Sequence, residues 1–169
     1  MKTYKHNKKV NLRYLPFSLS AKDKKKQTQQ LLKSKRLYKK GKYYTRKRVK
    51  SFQSKPSKFV TQAKSMYGVT KIGATKELAK KSGCSVSSLA KVINKGEGAY
   101  YSSGSRPNQT AQSWGIARLA SALTSGKAGA IDYNILASGC KKGSKGYKSV
   151  LKARRKYGFG TKRVPKVSI

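Results

Sequence analysis

Only four carboxylates, Asp23, Glu77, Glu97 and Asp132, stand against 42 lysines and arginines in this chain of 169 residues, leaving a formal net charge of +38. Ion pairs inside the chain can neutralise only a few of those cations, and the remaining self-repulsion opposes compaction. The counter-charge has to come from outside, as nucleic acid, an anionic membrane or an acidic protein surface.

Charge is unevenly spread. Residues 1–58 hold 21 basic residues and one acid, 59–137 hold ten and three, and 138–169 hold eleven and none. Helical apolar periodicity is concentrated in the middle, and neither strand alternation nor an internal repeat is visible. The reading is a mainly α protein. A basic N-terminal arm (1–55) with one polar helix precedes a small helical domain (56–137), and a basic C-terminal extension (138–169) follows. Arms of this composition are expected to be extended and to order only against neighbours.

Local signals place the helices. Ser20-Ala-Lys-Asp23 reads as a capping box opening a helix through about Tyr38. Pro56 sits at a helix start, with Phe59, Val60, Ala63, Met66 and Tyr67 as its core stripe and Gly68 closing it. Short helices follow over Thr75–Ser82 and Ser85–Asn94, then a polar loop from Gly96 to Asn108. A broad apolar face built on Trp114, Ala117, Ala120 and Leu123 spans about Gln109–Thr124. Ala128–Ala137 forms another helix with Ile131, Ile135 and Leu136 inward, a basic helix covers Tyr147–Tyr157, and Val164-Pro165 marks an extended end.

The inventory leaves little room for catalysis. His6, the only histidine, lies in a Lys-rich terminus, and the acids are scattered singly, so no acid/base pair is positioned. No His, Cys, Asp or Glu cluster has metal-ligand spacing, Gly96-Glu-Gly98 lacks the context of a phosphate loop, and neither an enzyme nor a cofactor is expected. Cys84 and Cys140 fit no ligand motif and are read as free thiols in a reducing compartment. No run of eighteen apolar residues and no signal segment is seen, so neither membrane spanning nor secretion is expected.

The sharpest local pattern is Glu77-Leu-Ala-Lys-Lys-Ser-Gly83-Cys-Ser-Val-Ser-Ser-Leu89-Ala-Lys-Val92-Ile93. It resembles a helix-turn-helix: Ala79 at the crossing, Gly83 in a left-handed turn, Ser85 capping, Leu89 and Val92 inward. Groove reading would fall to Ser87, Ser88, Lys91 and Asn94, whereas the bland alternative is a structural corner. Tyr43, Tyr44, Arg46, Lys47 and Arg48 join aromatic rings to a basic run, which suits stacking beside an anion or else a solvated linker. Arg106 lies in a string that forms either a docking loop or a loop held by its own domain. Arg118 either faces solvent or ties to Asp132 or Glu97.

Three stretches together, Leu37-Tyr-Lys-Lys-Gly-Lys-Tyr-Tyr-Thr-Arg46, Gly98-Ala-Tyr-Tyr-Ser-Ser-Gly-Ser-Arg-Pro-Asn-Gln-Thr110 and Trp114-Gly-Ile-Ala-Arg-Leu-Ala120, resemble a family of small basic proteins encoded by large double-stranded DNA viruses. The likeness runs over about residues 20–140 and brings no catalytic residues with it. It implies a viral origin and a place in the virion, and the leading expectation is a minor capsid or cement protein on the inner side of the shell, assembled in host cytoplasm or nucleus. Capsid proteins would be the partners, with packaged DNA or an anionic internal membrane as further ones. Tyr14, Phe17, Leu31, Leu32, Tyr43, Tyr44 and Phe52 would then anchor the arms in neighbouring grooves. The competing expectation is a DNA-binding nucleoprotein that uses phosphate contacts and the hairpin.

Overall fold

Ser20 accepts a hydrogen bond from the Asp23 N–H and opens α1 (Ala21–Tyr38). The reciprocal half of a capping box is not made, because the Ser20 N–H donates to Ser51 Oγ and the Asp23 carboxylate is taken by Ser51. The computed structural model describes residues 8–160 and 164–169; His6 lies outside them. Among the described residues the fold is mainly helical. After α1 come α2 (Lys58–Tyr67), α3 (Lys76–Ser82), α4 (Val86–Ser102), α5 (Ala111–Leu123), α6 (Lys127–Ile131), α7 (Tyr133–Gly139) and α8 (Lys145–Tyr157). The strands β1 (Lys9–Asn11) and β2 (Lys166–Ser168) are too short to leave an alternation in the sequence. Contacts divide the chain into two units, the first holding described residues 8–54, 99–110 and 164–169, the second 55–98 and 111–160.

In the first unit the two termini meet rather than extend. β1 and β2 pair antiparallel with Val10 opposite Val167, and the Leu12 N–H donates to the Pro165 carbonyl. Val10, Tyr14, Leu15, Leu19, Leu31 and Val49 are all buried. Each such apolar side chain contributes roughly 1.5–3 kcal/mol. The charge-based boundaries are therefore not those drawn by contacts. The buried apolar residues of the N-terminal segment come from the lysine-free stretch 10–19, from Leu31 and from Val49, and so scattered they leave no periodic trace. Tyr14 and Leu31, expected as anchors for neighbours, are spent here; Leu32, Tyr44 and Phe52 are half-buried, whereas Phe17 and Tyr43 are exposed.

The core of the second unit is built around α5 and α8, against which α2, α3, α6 and α7 pack. Leu78, Leu89, Val92, Leu119, Leu123, Leu136 and Val150 are fully buried in it. Tyr67 adds a hydrogen bond from its hydroxyl to the Leu123 carbonyl, and burial raises its pKa. Met66 and Ile131, expected inward, face out.

Two helix boundaries also differ from expectation. α4 does not end near Asn94 but continues through the Gly96–Ser102 stretch read as loop. Gly96 is there because a helix crosses it: a Cβ on Gly96 would meet the Gly115 Cα at 2.6 Å, and one on Gly115 would meet the Ile93 carbonyl at 2.6 Å. The helix foreseen over Ala128–Ala137 breaks at Asp132, which is buried and turned into an ion-pair network. Arg118 donates to it through Nε at 2.6 Å and through a terminal nitrogen at 2.9 Å, and Lys95 Nζ lies 2.8 Å away. Of the readings for Arg118, the tie to Asp132 holds and the solvent-facing one does not.

Candidate nucleic-acid interface

The strip after α1 alternates inward and outward, which sorts the basic residues expected to meet a partner. Lys47 and Arg48 face solvent, but Arg46 is buried, the only such Lys or Arg among the described residues. Its guanidinium lies 3.8 Å from the centre of the Tyr100 ring and donates to Ser34 Oγ (3.0 Å), the Tyr100 carbonyl (2.8 Å) and Ser105 Oγ (2.9 Å). Burial lowers its pKa, and the surrounding tyrosines, Tyr100 first, oppose that shift. Arg46 is thus a strut of the first unit rather than a partner-binding residue. Three of its five N–H donors are met from within the unit.

The Tyr-Tyr-Ser-Ser-Gly-Ser-Arg-Pro-Asn string is the other half of this clasp: Tyr100, Tyr101 and Ser102 end α4 instead of forming loop, and the loop that follows is held by its own unit. Gly104 has φ +125°, and a Cβ there would meet Leu31 at 2.8 Å. Asn108 pairs like a strand neighbour: Oδ1 accepts from the Val49 N–H at 2.7 Å, while Nδ2 donates to the carbonyls of Val49 (3.1 Å) and Phe52 (2.8 Å). Asn108→Ala is expected to lower stability by about 1–3 kcal/mol through the backbone groups it leaves unpaired. Denaturant unfolding checks this, and an unchanged midpoint would remove the clasp. Arg106, within the string, keeps its side chain exposed.

Around the C-terminal end of α1, cations and rings crowd together. Burial first, then the charges of Lys166, Lys8 and Lys39, push the Lys35 ammonium below the usual lysine value, so an anion placed there would relieve repulsion. Gly41, at φ +70°, reverses the chain and returns Tyr43 towards the helix it has just left. The Tyr43 ring centre lies 6.2 Å from that of Tyr38 and 5.0 Å from that of Tyr101, yet Tyr43 is 71% exposed. Tyr44 instead turns half inward beneath Lys33, whose Nζ lies 4.4 Å from the ring centre. Tyr38 and Tyr101 escaped the sequence reading because only a chain reversal and a 58-residue separation bring them to Tyr43.

The second unit holds the helix-turn-helix-like corner. α3 ends at Gly83 with φ +76°, and α4 follows with Leu89 and Val92 inward. Ser87, Lys91 and Asn94 are exposed and, at offsets of four and three, share one face of α4. Ser88 does not join them. It is buried, donates to the Ser85 carbonyl and abuts Gly139, where an added Cβ would come within 2.3 Å. The cysteines are not free: Cys84 and Cys140 form a disulfide between backbone segments paired through Ser85 N–H to Gly139 O and Lys141 N–H to Gly83 O. Along α8, Lys148, Lys152 and Arg155 form an exposed basic row.

Within each unit most carboxylates are withdrawn from solvent. Asp23 accepts from the Ser51 hydroxyl and the Ser51 N–H, which in that order hold its carboxyl below the usual carboxylate range. Asp132 is buried, Glu97 is half-buried, and Glu77 alone is exposed. Among the described residues no group of three or more His, Cys, Asp or Glu is placed to hold a metal, and no helix is long and apolar enough to cross a membrane.

Residues 11–135 match a family of unknown function, DUF5824. The chain belongs to this family. The DUF5824 match takes in α1, the clasp, the α3–α4 corner and the Arg118–Asp132 pair, and it stops before Cys140 and α8. Neither a curated protein nor a solved structure matches the chain.

Proposed function

We propose that this protein is a non-enzymatic, nucleic-acid-binding structural protein that engages phosphates along a cationic surface. The observation that carries the reading is the sorting of charge: Asp23 and Asp132 are consumed inside the fold, and Arg46 is the only buried cation among the described residues, so nearly every other Lys and Arg points outward. Such a surface binds DNA by releasing condensed counterions, with little dependence on base sequence. The exposed face of Ser87, Lys91 and Asn94 adds one cation and two short polar groups, which suits a weak sequence preference at most.

The test is affinity for duplex DNA against salt, with the full chain. For about 6–10 phosphate contacts the affinity should fall by roughly 10³-fold or more between about 50 and 200 mM salt. Affinity that stays flat with salt, or no binding at low salt, sinks the reading.

A second reading, a cement protein inside a virus particle, is favoured by two observations. The Cys84–Cys140 disulfide suits a protein that works outside a reducing cytosol, in a released particle, and Phe17 is 82% exposed where a protein neighbour could cover it. Tyr14 and Leu31 are no longer free to serve as its anchors. Retention by purified shells at high salt, without DNA affinity, would select this reading over the first.

A further inference from the structure

The cluster at the end of α1 has a property that phosphate binding does not need. Neutralising a backbone takes mobile cations, yet here Tyr43 is held with most of its ring in solvent by Tyr38 on one side and Tyr101 on another. A ring fixed in this way loses little further freedom when a planar partner settles on it. Lys39, Lys40 and Lys42, all exposed, flank it in sequence, and Lys35 nearby is already in cationic excess. Aromatic faces supported from behind and bordered by lysines match unpaired nucleotides, whose bases stack while their phosphates meet the cations. Duplex DNA keeps its base faces covered and can use only the lysines.

We infer that the Tyr38–Tyr43–Tyr101 cluster is a stacking site for the unpaired bases of single-stranded nucleic acid, with Tyr43 as the contacting ring. This rests on the nucleic-acid reading above and specifies its ligand. Base stacking and phosphate contact are common to DNA and RNA strands, so the site accepts either, without choosing among bases.

The experiment uses the full chain and labelled strands of about twelve nucleotides, a length within the reach of small single-strand sites. Oligo-dT, oligo-rU, an abasic strand of equal charge and a duplex are compared at one salt concentration. Oligo-dT and oligo-rU should bind about tenfold tighter than the abasic strand, the size of one base–aromatic stack. Tyr43→Ala should abolish that difference while leaving duplex affinity and salt dependence unchanged. Tyr43→Phe should keep the difference, and circular-dichroism melts should show both variants folded, as an exposed ring allows. Equal binding of oligo-dT and the abasic strand by the unaltered protein overturns the stacking site, and so does a Tyr43→Ala loss shared equally by all four ligands. A steep salt dependence that survives either result leaves phosphate binding standing, whereas binding to none of the strands removes both proposals together.

Discussion

Asp132→Ala is expected to destabilise the protein by about 3–5 kcal/mol, because it strands Arg118 in a largely desolvated place without its bidentate partner. The Asp132 side chain is fully buried and that of Arg118 only 20% exposed, whereas Lys95, at 48%, can turn to water when the carboxylate goes. The effect should fall on Arg118, and replacing both partners discriminates. Arg118→Met combined with Asp132→Leu should recover much of the loss, since an apolar pair of similar volume avoids burying an unpaired charge. Chemical denaturation of the two single variants and the double variant closes the cycle. Equal, additive losses would mean that the pair is not the tie that breaks the helix between α6 and α7.

Removing the disulfide should cost a similar amount. Cys84 and Cys140 are 56 residues apart in sequence, and a cross-link closing a loop of that size restricts the unfolded chain by about 4 kcal/mol in the chain-entropy description. The Cys84→Ser, Cys140→Ser double variant should therefore unfold at markedly lower denaturant than the oxidised protein, and reductant should shift the unaltered protein to nearly the same midpoint. A midpoint indifferent to reductant would show that the bond contributes nothing. The backbone pairing of these segments involves no sulfur atom, so the substitutions remove the covalent contribution without deleting a hydrogen-bonding group from it.

Much of the helical plan could be read directly. The Ser20 cap, the Gly68 and Gly83 stops and the inward Leu89 and Val92 are local features, set by hydrogen bonds and periodicities within one or two turns. Where the reading failed, the cause lay at a distance. Gly96 looked like a loop residue because isolated glycine weakens a helix, and only the Gly115 backbone lying against it explains why a helix keeps glycine there. Arg46 looked like one more solvent-facing cation in a basic run. Its burial depends on Ser34, Tyr100 and Ser105, of which Ser105 is 59 residues away.

The amino-acid order alone determined the excess of cations, because net charge is a sum to which folding adds nothing. Helix positions were settled largely at that level too, through capping and apolar spacing. Tertiary structure decided which cations and rings face outward, which carboxylates are consumed, and that the two cysteines meet. Such pairings join residues tens of positions apart, and contacts of that range leave no period or local motif in a single chain.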